Sequence, residues 1–127
     1  MKDGRLGAPI GRRPVGQGWR IFLWLAAAYN LVIGALGLFS PTGHVDARIV
    51  GLMLVAFGLV FALAARDPER FAPILWAGAI AKLGTAALLA PKAIAPDATL
   101  LVSVATVLEA LFAVGFLTFM LSRRGTA

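Results

Sequence analysis

The chain of 127 residues has no cysteine, and His44 is its only histidine. These absences exclude a disulfide scaffold and thiolate chemistry, and they leave too few ligands for the usual zinc clusters. Charged residues are scarce as well, at 14% of the chain, whereas 60% of the residues are hydrophobic and the mean hydropathy is +0.87. Soluble domains average about 25% charged and about 45–50% apolar residues. A water-soluble globule of this composition would expose large apolar patches, so we expect an integral membrane protein.

Sequence motifs of enzymes are also missing. The chain contains no glycine-rich phosphate loop with its lysine, no nucleophile elbow and no pair of histidines at helical spacing. The net charge of +6 would suit nucleic acid, but no basic stretch is interleaved with aromatic residues that could stack on bases. We therefore expect no enzymatic activity, no metal or cofactor, and no nucleic-acid partner.

What the sequence does contain is four long apolar runs. Each has the length, roughly 17–25 residues, that crosses about 30 Å of hydrocarbon as a helix. Short segments with proline, glycine or charged residues separate the runs. The pattern predicts an all-α membrane protein with four antiparallel transmembrane helices in one bundle over residues 19–122, a flexible basic tail at residues 1–18 and a short basic tail at residues 123–127. The predicted spans cover residues 19–39, 49–65, 71–89 and 100–121.

Basic residues are distributed unevenly over the segments that flank the spans. Nine of the twelve lie on the side of the two termini, two lie on the other side, and Lys82 lies inside the third span. Because short loops rich in lysine and arginine stay on the cytoplasmic side, this bias predicts that both termini are cytoplasmic. We expect a multi-pass protein of the bacterial inner (plasma) membrane.

Three polar residues lie near the middle of predicted spans: Asn30 in the first, Lys82 in the third and Glu109 in the fourth. At 1.5 Å per residue, each lies about 16–18 Å from the cytoplasmic end, so antiparallel packing brings them to one depth. An isolated charge at a span centre costs about 2.5–3.5 kcal/mol, so we expect Lys82 and Glu109 to face the bundle interior as partners. Further hydrogen bonds to this intramembrane polar centre could come from Tyr29, Thr85, Ser103 and Thr106.

The predicted pair of Lys82 and Glu109 has two interpretations. As a buried salt bridge, it would fix the register of neighbouring helices without any substrate. As a functional site, it would be a proton or ion relay or a counter-charge for a bound molecule, since ionisable residues inside membranes commonly mark pathways. The sequence leaves both open.

Small residues recur at intervals of three and four residues in the apolar runs. This spacing places them on one face of each helix, where they allow two backbones to approach closely. We therefore expect these glycines to pack helix against helix rather than to bind a ligand. The predicted packing glycines are Gly34, Gly37, Gly51, Gly58 and Gly78.

The segment between the second and third spans is short and charged. Asp67 followed by Pro68 is typical of a helix start, with Asp67 as the capping residue and Glu69 in the first turn. The alternative is a cytoplasmic docking spot for a partner or a lipid headgroup, in which Arg66 and Arg70 would supply the charge.

Several of these residues also carry a family resemblance. Tyr29-Asn30 with Gly34, Arg48 with Gly51, Ala65-Arg66-Asp67-Pro68 with Arg70, and Gly78 with Lys82 make the chain similar to a group of short four-span bacterial membrane proteins of uncharacterised activity. Over residues 19–122 the overall plan also resembles DoxX-like membrane proteins. This resemblance implies a four-helix membrane bundle and an accessory role in a redox or export system.

Small multidrug transporters share the length and the span count, but their essential glutamate lies in the first helix. Here the first helix carries Asn30 instead, and the acid is Glu109 in the fourth.

The leading functional expectation is a structural or accessory subunit with a polar intramembrane centre. The alternative is a small proton-coupled carrier or channel that uses Glu109, acting as an oligomer because four helices with small residues enclose little space. The expected partners are the lipid bilayer and either another membrane protein or further copies of the chain.

Overall fold

The computed structural model describes residues 15–124, with side chains up to residue 122. Its helices are α1 (Gln17–Leu38), α2 (Val45–Arg66), the short α3 (Pro68–Phe71), α4 (Leu75–Ala93) and α5 (Leu100–Arg124), and a 3₁₀ turn at Ala72–Ile74 joins α3 to α4. The described residues contain no β-strand. The all-α prediction is confirmed.

Four helical segments within the described residues are long and apolar enough to cross a membrane. The 22 residues of α1, like the 22 of α2, extend about 33 Å at 1.5 Å per residue, close to the thickness of the hydrocarbon core. The predicted number of candidate spans is therefore confirmed. These segments are Gln17–Leu38, Val45–Arg66, Pro68–Ala93 and Leu100–Ser122.

The third candidate span is longer and less regular than the prediction of residues 71–89. It begins at Pro68, and a 3₁₀ turn that includes Pro73 interrupts it, since proline has no N–H to donate to the helix. At its other end, α4 continues through Pro91 to Ala93 instead of stopping before the proline. A proline this close to a helix end removes one backbone hydrogen bond and leaves the remaining turns intact.

The first span begins earlier than predicted. Gln17 and Gly18, which the sequence pattern places in the N-terminal tail, belong to α1. The rest of the predicted N-terminal tail before Val15, and residues 125–127 of the predicted C-terminal tail, lie outside the described residues.

Glycines let α1 and α2 form a closely packed antiparallel hairpin. A Cβ atom added to Gly34 would lie 2.7 Å from the carbonyl oxygen of Gly51, and one added to Gly58 would lie 2.8 Å from the side chain of Leu31. Gly37 has more room, because its added Cβ would lie 3.5 Å from the Cα of Gly51. The predicted packing role is thus confirmed at Gly34, Gly51 and Gly58, and Gly37 makes an ordinary contact.

Aromatic rings join this hairpin to the one formed by α4 and α5. Phe22 of α1 contacts Phe112 and Phe116 of α5, with ring centroids 5.6 and 5.5 Å apart. The ring centroid of Phe61 in α2 lies 5.0 Å from that of Phe116. The Phe61 ring also packs against Gly78 of α4, because a Cβ atom added to Gly78 would lie 2.6 Å from it. Bulky rings therefore separate the two hairpins, while glycines hold the helices of the first hairpin together.

Candidate functional site

Lys82 is the centre of a buried polar cluster between the helices. Its ammonium nitrogen lies 2.8 Å from Glu109 Oε2 and also donates a hydrogen bond to Asn30 Oδ1. The exposed fractions of Asn30, Lys82 and Glu109 are 1%, 2% and 4%. The three residues thus meet at one depth, as the residue spacing predicts, and the contact between Lys82 and Glu109 is confirmed.

Asn30 extends the cluster to the remaining long helix. While its side-chain oxygen accepts from Lys82, its Nδ2 donates to the backbone oxygen of Leu54 in α2 at 3.3 Å. The hydrogen bonds of the cluster therefore connect α1, α2, α4 and α5. Among the described residues, every side-chain nitrogen or oxygen atom that is inaccessible to solvent has a hydrogen-bond partner.

Three aromatic rings also lie close to the Lys82 ammonium group. Its nitrogen lies 4.8 Å from the centroid of the Tyr29 ring, 5.4 Å from that of Phe112 and 5.9 Å from that of Phe61. The faces of aromatic rings attract cations at these distances, and the attraction is larger where water is excluded. The surroundings of Lys82 are therefore suited to a positive charge although they are largely apolar.

The four predicted supporting groups divide into two pairs. Tyr29 faces Lys82 through its ring and lies close to Glu109, and Thr85 lines the same small cavity as Lys82 and Glu109. The Thr106 hydroxyl donates to the backbone oxygen of Val102 in its own helix at 2.7 Å. Ser103 lines a separate groove with Val104, Val107 and Leu108. A supporting role for Thr106 and Ser103 in the polar centre therefore stays a prediction.

A cavity of about 30 Å³ adjoins the polar cluster. Its polar walls come from Asn30, Lys82, Thr85 and Glu109. A cavity of this volume has room for a water molecule.

The turn between α2 and α4 has the predicted capping structure. The Asp67 side chain accepts a hydrogen bond from the backbone nitrogen of Arg70 at 3.4 Å, and Pro68 occupies the first turn of α3. The Arg70 guanidinium lies 5.1 Å from the centroid of the neighbouring Phe71 ring. Capping by Asp67 is thus confirmed, and the docking alternative stays a prediction.

Sequence reasoning missed two arginines, one in α1 and one in α2, that each bond to the C-terminal end of the other helix. Arg20 of α1 donates to the backbone oxygens of Ala65 and Arg66 at the end of α2, at 3.5 and 3.3 Å. Conversely, Arg48 of α2 donates to the backbone oxygen of Leu38 at the end of α1, at 3.0 Å. Carbonyls at a helix end have no partner within the helix and carry the negative end of its dipole, so each arginine stabilises the other helix. The signal was available, since both arginines lie where an antiparallel neighbour would end.

Glu69 ties the same end of the bundle together. It lies 3.5 Å from Arg20 as an ion pair, and its other oxygen accepts from the backbone nitrogen of Val15 at 2.7 Å. The start of α1 is therefore attached to the turn that leads into α4. The sequence pattern assigned Glu69 only to a first helical turn and could not indicate these contacts.

The described residues contain no group of three or more His, Cys, Asp and Glu side chains that could hold a metal ion. The polar cluster has one acid and one base in mutual contact, and the groups around them are an amide, hydroxyls and aromatic rings. This arrangement can hold a buried ion pair and a very small polar molecule.

No protein-family model, no curated protein and no solved structure matches the chain. The resemblance to DoxX-like and related four-span proteins therefore stays a prediction.

Proposed function

We propose that this protein is a structural or accessory subunit of the bacterial inner (plasma) membrane. In this proposal its four apolar segments span the bilayer, and both termini are cytoplasmic. The polar centre of Asn30, Lys82 and Glu109 fixes the relative positions of the spans, and the outer faces contact lipid and a membrane-protein partner or further copies of the chain.

The observation that supports a structural role is the closure of the polar centre. Lys82 and Glu109 are almost completely buried, they satisfy each other at 2.8 Å, and Asn30 links them to α1 and α2. Inside a membrane, hydrogen bonds between helices and close packing replace the hydrophobic effect as the forces that associate helices. An ion pair that connects the spans in this way can fix the register of neighbouring helices without any substrate.

The small size of the adjoining cavity also favours this role over that of a carrier. A carrier needs a site that accepts its substrate and opens to one side of the membrane. Here the cavity beside Glu109 has a volume of about 30 Å³. A carrier or channel would therefore require a second arrangement of the helices in which Glu109 becomes accessible.

The outward faces of the helices supply the surface for an accessory role. Large apolar side chains such as Leu36, Ile80, Leu88 and Leu111 are more than half exposed. Such faces suit lipid or another apolar helix, and they carry no charge that would oppose either.

Two measurements on the same preparation test the proposal. Purified protein in proteoliposomes should show no proton flux above that of empty vesicles, and the Glu109→Gln variant should behave identically. Crosslinking in native membranes followed by purification should yield one fixed partner, or a discrete oligomer of the chain. Proton flux that disappears in Glu109→Gln would contradict the proposal and establish the carrier alternative.

A further inference from the structure

Four polar residues, Asn30, Lys82, Thr85 and Glu109, line the cavity of about 30 Å³ beside Lys82, together with apolar side chains. Asn30, Lys82 and Glu109 are each at least nine-tenths buried, and Phe57 and Phe61 contribute apolar surface to the cavity wall. Genuinely empty cavities in proteins are apolar, whereas polar cavities of this size hold water that bonds to two to four partners.

The hydrogen bonds of Lys82 leave one of its donors for this cavity. An ammonium group has three N–H bonds, and two are directed to Asn30 Oδ1 and Glu109 Oε2. Asn30 likewise has a second amide N–H beside the one that donates to Leu54. Both unused donors belong to residues in the cavity wall.

The hydroxyl of Thr85 differs from those of other threonines in the helices. Threonines in helices commonly donate to the carbonyl four residues earlier, as Thr106 and Thr118 do here at 2.7 and 2.8 Å. The Thr85 side chain is half-buried, and its hydroxyl makes no such bond and has no other hydrogen-bond partner among the described residues. It lines the same cavity as Lys82 and Asn30.

We propose that a single water molecule is a fixed component of this core, held by Lys82, Thr85 and Glu109. The water accepts from the third N–H of Lys82, donates to the Glu109 carboxylate and completes the hydrogen bonding of the Thr85 hydroxyl. A water with three partners is a typical buried water. Thr85 is then a positioning residue of the polar centre, acting on the ion pair through the water. This inference goes beyond the proposed function, because the water is part of the site whether the protein is an accessory subunit or a carrier.

X-ray radiolytic labelling with mass spectrometry tests the proposal on the full chain in detergent. Radiolysis of a bound water oxidises the side chains beside it, even where bulk water has no access. Phe61 lines the cavity, and Phe119 serves as the matched control because it is the same residue type, is equally buried and does not line the cavity. We expect several-fold more oxidation at Phe61 than at Phe119. Equal oxidation of the two rings would overturn the proposal.

Variants at Thr85 separate a bound water from general solvent leakage. Thr85→Val keeps the side-chain shape but removes the hydroxyl, so the oxidation of Phe61 should fall toward the level of Phe119. Thr85→Ser keeps the hydroxyl and should retain the labelling, and Thr118→Val, on the exposed face of α5, should not change it. Undiminished labelling of Phe61 in Thr85→Val would contradict the role of Thr85. The ratio of Phe61 to Phe119 in the unaltered chain remains decisive if Thr85→Val does not fold.

Discussion

Lys82 combines a carboxylate, an amide oxygen and three aromatic faces around one ammonium group. A charge removed from water needs such compensation, since attraction to one partner often does not offset the loss of hydration. The ion pair therefore depends on Asn30 and the rings as well as on Glu109. Removing one member leaves Lys82 buried with one polar or aromatic partner fewer.

The contribution of the ion pair to stability can be measured directly. Glu109→Gln should lower the unfolding free energy by about 3–5 kcal/mol, because the positive charge of Lys82 is left buried without its carboxylate. The double variant Lys82→Met with Glu109→Leu replaces both charges by apolar side chains, so it should recover most of that loss. Thermal unfolding in detergent, followed by circular dichroism, measures both. A Glu109→Gln protein as stable as the unaltered chain would show that the pair contributes no stability.

The α1–α2 hairpin shows how two elements are matched to each other. Gly34 and Gly51 remove side chains where the backbones cross, and Arg20 and Arg48 bond to the carbonyls at the opposite helix ends. The two helices therefore contact each other closely at their middle and are joined by arginine hydrogen bonds at their ends. The α1–α2 hairpin is therefore fixed at its middle and at both ends.

The glycines of this hairpin can be tested individually. Gly51→Ala would place its Cβ against the backbone of α1, so we expect a loss of about 1–3 kcal/mol from overpacking. Gly84→Ala is the matched control, because an added Cβ at Gly84 of α4 meets no atom within 4 Å. Since alanine favours helix over glycine, Gly84→Ala should be neutral or slightly stabilising. Thermal unfolding of the two variants in one detergent compares their stabilities. Equal destabilisation would contradict the close contact of α1 and α2 at Gly51.

At the scale of the molecule, the arginines of the described residues lie at both ends of the bundle. Arg20 contacts the end of α2, where Arg66 and then Arg70 follow, while Arg48 lies at the other end beside Leu38. For these four arginines, the distribution along the sequence corresponds to a separation in space. This separation supports the proposed orientation with cytoplasmic termini.

The absence of cysteine makes that orientation simple to test. Gln17→Cys and Thr42→Cys each introduce the only thiol, both at exposed positions and at opposite ends of α1. A membrane-impermeant maleimide added to intact bacterial cells should label Thr42→Cys directly and Gln17→Cys only after permeabilisation. The reverse pattern would place the termini outside and contradict the proposed topology.

The sequence alone determined the number of candidate spans and the common depth of Asn30, Lys82 and Glu109, because hydropathy and the rise per residue are local properties of a helix. It also indicated the packing glycines and the Asp67 cap, which depend on short spacings. Only the tertiary structure decided that Thr85 lines a small cavity beside Lys82. It alone also decided that Arg20 of α1 bonds to the end of α2 and that Arg48 of α2 bonds to the end of α1. These features depend on how far each helix is rotated about its axis and how closely it approaches its neighbours. Contacts between glycines and aromatic rings far apart in the sequence set both quantities, and no single helix contains that information.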